Sequence, residues 1–140
     1  MNTPMNVRFS DPLRASLARF AHQTGQTRSS VVTTAVSEWL QMQEHPRIRF
    51  VPGETGERRA ILIDGPQVWT VAQAWLAHEV VDRDAGTVAD ALGLSPVMVE
   101  AALAYWADHR HEIDQIIERH QAAQDAALAT WERRQALQQA

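Results

Sequence analysis

The chain has 140 residues, 45% hydrophobic and 21% charged, which is the composition of an ordinary globular protein. The absence of cysteine excludes disulfides, iron–sulfur clusters, thiolate zinc sites and cysteine nucleophiles. All 13 basic residues are arginines, which excludes a Walker A phosphate loop, a Schiff-base lysine and a serine–lysine pair. The longest apolar run, Ala101–Ala107, is too short for a membrane span, and no signal core lies within Met1–Leu13, so we expect a cytoplasmic protein.

The net charge of −4 is divided unevenly along the chain. Residues 1–50 carry six arginines and three acidic residues, whereas residues 51–140 carry seven arginines and fourteen acidic residues. The basic residues 1–50 favour binding to an anionic polymer, and the acidic residues 51–140 favour binding to a basic partner. The distribution therefore predicts two binding functions in two parts of the chain, with a chance asymmetry as the alternative.

The first forty residues predict a strand followed by two helices. Polar and apolar side chains alternate over residues 4–9 with the period of a strand. Ser10 and Pro12 are typical of a helix start, Gly25 of a helix end, and Thr27 of a second start. The apolar strand face is Met5, Val7 and Phe9, and the opposite face is Pro4, Asn6 and Arg8.

Both helices carry an apolar stripe, but about 40 residues bury too little surface for independent stability. A lone strand also leaves its backbone hydrogen-bonding groups unpaired. The segment therefore predicts a dimer in which strand pairs with strand and the helices of both copies share one core. The stripes are Leu13, Leu17, Phe20 and Ala21 in the first helix, and Val31 or Val32, Ala35, Val36, Trp39 and Leu40 in the second.

This segment resembles the ribbon-helix-helix DNA-binding family, the fold of the Arc and MetJ repressors, which read DNA with a β-ribbon. The resemblance rests on the strand Asn6–Phe9, the turn Ser10–Leu13, the second helix start Gly25–Ser29 and the run Ala35–Leu40. It implies that two chains pair their strands as an antiparallel ribbon whose polar face enters the major groove.

The resemblance also implies roles for individual residues. Arg8 suits O6 and N7 of guanine, and Asn6 suits N6 and N7 of adenine. Pro4, at the third base-reading position, departs from the family pattern because its side chain is not polar, and Thr3 is the alternative reader there. Free N–H groups and the helix dipole at the start of the second helix favour an anion. The predicted phosphate-binding residues are Thr27, Arg28, Ser29 and Ser30.

The middle of the chain predicts a β-hairpin from two short runs, Arg47–Val51 and Arg59–Ile63, followed by short helices. A polar break is predicted at Asp82–Gly86, a helix end at Gly93 and a helix start at the cap Ser95.

Residues 47–117 contain the segments Arg58–Ala60, Val68–Val71, Val88–Ser95, Val99–Trp106 and Glu112–Asp114. In these segments the region resembles a domain of VapB-type antitoxins, whose usual partners are PIN-like ribonucleases. One stretch, Val88–Trp106, has the spacing of a helix-turn-helix. Its second helix carries no Arg, Asn or Gln before Arg110, so we do not expect it to read DNA.

Residues 112–140 predict one long amphipathic helix. Leu128 and Trp131 are its candidate partner-binding anchors, because aromatic side chains supply much of the binding energy at interfaces. The alternative is that this helix packs on its own domain or pairs with the same helix of a second copy.

Catalysis and metal binding are not expected. His109 and His111 lie two positions apart on a helix, so their side chains point about 200° apart and do not easily share one ion. The sequence also lacks a nucleophile elbow, a dinucleotide-binding turn and a zincin motif. The sequence therefore predicts no catalytic residue, no metal site and no cofactor.

Together, these features predict a mainly α-helical protein in three parts. Residues 1–45 form the ribbon-helix-helix dimer head, 46–111 a β-hairpin with helix-turn-helix-like helices, and 112–140 a C-terminal helix. The predicted function is the antitoxin of a type II toxin–antitoxin pair, which binds double-stranded operator DNA as a homodimer or higher oligomer and silences a toxin through its C-terminal region. The alternatives are a stand-alone regulator whose C-terminal domain oligomerises or senses a ligand, and an adaptor with a decayed DNA head.

Overall fold

The computed structural model describes residues 2–140, which form two compact units. The first unit ends at Gln43, and the second comprises Glu44–Ala140, including the whole C-terminal helix. The described chain is mainly helical, with one antiparallel sheet of two strands. The predicted mainly α class is therefore confirmed.

The helices of the first unit are α1 (Asp11–Thr24) and α2 (Arg28–Glu44), whose last residue already belongs to the second unit. The Ser10 side chain accepts a hydrogen bond from the N–H of Leu13 at 3.4 Å, which caps the start of α1. Gly25 ends α1 in the left-handed conformation, with a φ of 67° that glycine adopts without strain. The cap and stop residues predicted from the sequence are thus confirmed.

The predicted strand over residues 4–9 is not formed in the single chain. Residues 2–10 contain no regular secondary structure before α1 begins. A β-strand requires a ladder of hydrogen bonds to a neighbouring strand, and the two strands described in this chain pair with each other. The expectation of a strand was therefore wrong for one copy of the chain.

The second unit begins with a β-hairpin formed by β1 (Ile48–Pro52) and β2 (Arg58–Leu62). The strands are antiparallel, and Ile48 pairs with Leu62 while Pro52 pairs with Arg58. These bounds lie within one residue of the predicted runs. Ile48 and Leu62 are both fully buried, so the hairpin turns one face towards the helices of its unit.

Four helices complete the second unit: α3 (Val68–Ala77), α4 (Ala85–Leu92), α5 (Pro96–Asp108) and α6 (Arg110–Leu137). The apolar side chains that they bury form a continuous core with the hairpin. This core consists of Ile48, Ala60, Leu62, Val68, Val71, Ala72, Val88, Ala89, Val99, Ala102, Tyr105, Trp106, Ile113 and Ile116.

Local sequence signals set most of these helix ends. Asp84 caps α4 by accepting the N–H of Thr87 at 2.9 Å, so this helix starts one residue before Gly86, inside the stretch predicted as a break. Gly93 ends α4 with a φ of 69°. Ser95 occupies the cap position of α5, but its side chain makes no capping hydrogen bond, contrary to the prediction.

Helix α6 has two halves with different environments. Ile113 and Ile116 in the first half are buried in the core of the second unit. Beyond His120 no side chain of α6 is buried, and Leu128 and Trp131 are 55% and 56% exposed. The second half therefore contributes nothing to the core of its own unit.

Hydropathy gives no single membrane-spanning helix among residues 2–140. Helices α4 and α5 together reach the required length and composition, but they are bent by 110° at the turn between them.

Candidate nucleic-acid interface

The three predicted base-reading residues lie in the segment that precedes α1. Pro4, Asn6 and Arg8 are all exposed, and their side chains make no hydrogen bond or ion pair within the described chain. Two apolar residues between them, Met5 and Val7, are 86% and 62% exposed. The segment thus presents both its polar and its apolar side chains to solvent.

The start of α2 has the geometry of an anion site. The hydroxyl of Thr27 accepts the N–H of Ser30 at 3.0 Å, and the first helical bond runs from Val31 N–H to the Thr27 carbonyl at 3.1 Å. The N–H groups of Arg28 and Ser29 precede that bond and remain free. The first turn holds no acidic residue, so nothing neutralises the positive end of the helix dipole.

The backbone N–H of Ser30 is not free to bind an anion. Ser30 was expected to offer its backbone N–H to a phosphate, but Thr27 already occupies that donor. Two free backbone donors and the exposed Arg28 side chain are left to hold an anion. Ser29 and Ser30 are both exposed, so their hydroxyls face solvent.

The apolar stripes of α1 and α2 remain largely uncovered. Ala21 is the only residue between 2 and 43 that is buried. Trp39 is 56% exposed, although indole is among the most favourable side chains to bury. The half-exposed stripe residues are Leu13, Phe20, Val36, Trp39 and Leu40.

The helix that follows the turn at Gly93 lacks the side chains expected of a DNA-reading helix. Helix α5 buries Val99, Ala102, Tyr105 and Trp106 in the core of its unit. Near its start, Val97 and Glu100 are exposed, and neither side chain can donate a hydrogen bond to a guanine or adenine edge.

Among the described residues, no group of three histidine or acidic side chains is arranged to hold a metal ion. His45 lies beside Asp108, with Nε2 2.9 Å from Oδ2, but its Nε2 forms no hydrogen bond with the described residues. His109 stacks on Tyr105 with ring centroids 4.2 Å apart. These histidines therefore pack against the end of α5.

No protein-family model matches the chain, and no curated protein or solved structure matches it. The resemblances to the ribbon-helix-helix family and to VapB-type antitoxins therefore rest on the residues quoted above.

Proposed function

We propose that the protein is a DNA-binding repressor that binds operator DNA as a dimer through its first unit. The observation that carries this proposal is the combination of an uncovered apolar stripe with an unpaired polar segment in one short unit. Both features need a second copy: the stripes would bury each other, and the two segments would pair as strands.

The proposed dimer places chemistry suited to DNA on one surface. Met5 and Val7 would turn inwards onto the helices, because alternate residues of a strand face opposite sides. Asn6 and Arg8 would then point outwards together into the major groove, where an arginine matches guanine and an asparagine matches adenine. The free N–H groups of Arg28 and Ser29 would hold phosphates, which positions the ribbon without reading sequence.

The first experiment selects binding sites from a random pool of DNA duplexes with the full-length protein, then measures affinity by fluorescence anisotropy at low and physiological salt. We expect Asn6→Ala combined with Arg8→Ala to weaken binding about a hundredfold, since each such pair contributes about 1–3 kcal/mol. Rising salt should also weaken binding of the unmodified protein, because phosphate contacts release counterions.

Arg19→Ala is the matched control, since it removes the same charge from an exposed position on α1 that the proposal places outside the groove. It should leave the affinity close to that of the unmodified protein. Equal binding by the double variant and the unmodified protein would rule out base reading by Asn6 and Arg8.

A second candidate role, that of an antitoxin, is favoured by the second half of α6. This half is about four helical turns long yet buries no side chain in its own chain. An isolated helix of that length is only marginally stable in water, so a partner that covers Leu128 and Trp131 would stabilise it. The excess of acidic over basic residues in the second unit suits a basic partner protein, as a toxin would be.

The antitoxin role predicts a stoichiometric small protein that co-purifies from the native host and is toxic when expressed alone. Deleting residues 121–140 should then abolish neutralisation of that protein but preserve dimerisation and DNA binding. A clean homodimer that still binds DNA would instead favour the stand-alone regulator. Unchanged neutralisation after the deletion would exclude the helix as the toxin-binding element.

A further inference from the structure

The second unit contains a cleft of about 530 Å³ between the loop of the β-hairpin, the start of α3 and the middle of α6. We name it the hairpin–α6 cleft. Its volume lies in the range of small-molecule binding sites, which is about 300–1,000 Å³. Two arginines, Arg59 and Arg119, line it together with the rings of Trp69 and His120.

One of these arginines is held in a fixed orientation. The Nε and Nη2 groups of Arg59 donate to Glu57 Oε1 at 2.9 Å and 2.6 Å, and the Thr55 hydroxyl donates to the other oxygen of Glu57. The Thr55 hydroxyl, followed by Arg59, lowers the pKa of Glu57 to about 2, so this carboxylate stays charged near neutral pH. The Nη1 group of Arg59 keeps no partner among residues 2–140.

The close packing of this loop depends on Gly53. A Cβ atom at Gly53 would lie 2.7 Å from Glu57 Oε1, so any other residue would displace the carboxylate that orients Arg59. The loop is therefore built to hold an arginine at the edge of the cleft. Because Glu57 occupies the Nε and Nη2 side of this guanidinium, its Nη1 side is the part that can donate to an anion in the cleft. A preorganised guanidinium loses little entropy when it binds such a group.

The opposite side of the cleft is an aromatic wall. The indole N–H of Trp69 donates to Gln67 Oε1 at 2.7 Å, which fixes the ring. His120 packs against this ring with the centroids 4.5 Å apart. Arg119, the neighbour of His120 on α6, is exposed and forms no hydrogen bond or ion pair with the described residues. The cleft thus combines the fixed ring of Trp69 with two guanidinium groups, the fixed one of Arg59 and the free one of Arg119.

We propose that the hairpin–α6 cleft binds a small molecule that carries one phosphate or carboxylate group on a flat ring. Arg59 and Arg119 would hold the anionic group, and the ring would stack on Trp69. Glu54 and Glu57 also line the cleft, and their negative charges offset those of the two arginines, which disfavours polyanions such as nucleic acid and nucleoside triphosphates. The site belongs to the second unit and does not depend on the DNA-binding proposal.

The test titrates the full-length protein with adenosine monophosphate and, separately, with salicylate by isothermal calorimetry. The two probes distinguish a phosphate ligand from a carboxylate ligand. We expect saturable binding of at least one probe below about 10 mM, and an approximately tenfold weaker affinity in Arg119→Ala, which loses a charge-assisted hydrogen bond. Arg133→Ala is the matched control, because it removes an arginine of the same helix that does not line the cleft. It should bind like the unmodified protein.

Three results would overturn the proposal. The first is that neither probe saturates below about 10 mM, and the second is that Arg119→Ala and Arg133→Ala bind equally well. The third concerns the neutral analogue of whichever probe binds, adenosine for adenosine monophosphate or salicylamide for salicylate. The analogue should bind at least about tenfold more weakly than the probe, so equal affinities would contradict an anion site. Circular dichroism of each variant checks that the helices remain intact.

Discussion

We expect Val36→Asp to convert the protein from a dimer to a monomer and to abolish its DNA binding. Val36 lies on the apolar stripe of α2 and is half exposed in the single chain, so it contributes little to the stability of one copy alone. In the proposed dimer, the stripe is buried and a carboxylate there has no partner, which costs about 3–5 kcal/mol in each copy. The dimer dissociation constant should therefore rise about ten-thousandfold or more, as measured by sedimentation equilibrium.

Ser37→Asp is the matched control for this result. It places the same charge on the next residue of α2, which is exposed and lies off the stripe. We expect this variant to remain dimeric and to bind DNA with nearly unchanged affinity. A dimer that tolerates Val36→Asp would show that the α2 stripe is not its interface.

We also expect Leu62→Ala to destabilise the second unit by about 2–5 kcal/mol. Leu62 is fully buried on β2 in the core, so the shorter side chain loses its transfer free energy and leaves a cavity. The midpoint of unfolding by urea, followed by tryptophan fluorescence, should fall accordingly.

Leu128→Ala makes the same chemical change on the exposed half of α6. We expect it to alter the free energy of unfolding by no more than about 0.5 kcal/mol, because Leu128 is 55% exposed. If it destabilises the protein as much as Leu62→Ala does, the second half of α6 packs inside the protein or its dimer. That result would contradict the proposed role of Leu128 as a free anchor for a partner.

Local signals in the sequence were sufficient to place most elements of the fold. Ser10 and Thr27 mark helix starts because their hydroxyls accept backbone N–H groups that the helix cannot pair internally. Gly25 and Gly93 mark helix ends because glycine adopts the left-handed conformation there without strain. The hairpin was likewise predictable from two short apolar runs around a loop rich in glycine. These features depend on residues that are close together in the chain.

The strand over residues 4–9 shows the limit of such reasoning. Its alternating pattern describes which side chains share a face, but a strand exists only when another strand pairs with it. The single chain does not provide that partner, so the alternating pattern did not predict the structure of one copy, and the dimer that it suggests is part of the proposed function. The second half of α6 has the same limit: its sequence pattern predicts a helix with an apolar stripe but does not say what that stripe contacts.

The hairpin–α6 cleft was not predicted, because its residues are far apart in the sequence. Glu57 and Arg59 lie in and beside the hairpin loop, Trp69 at the start of α3, and Arg119 and His120 on α6. No motif or fixed spacing connects them. The one local signal is that Thr55, Glu57 and Arg59 lie close together in the sequence. Such a spacing is common in polar loops, so by itself it does not predict that their side chains interact.

The central claim is that two copies pair through the segment that contains Asn6 and Arg8, and the absence of cysteine allows a direct test of it. Single cysteines are introduced in turn at Asn6, Val7 and Arg8, with Ser37→Cys as an exposed control, and oxidised under identical conditions. In an antiparallel ribbon, the residue nearest the two-fold axis faces itself at a Cα separation of about 4.5–5.5 Å, within the range that a disulfide bridges. We predict rapid covalent dimerisation at one of the three positions and slower reaction on either side. Equally slow reaction at all three positions and at the control would contradict the claim.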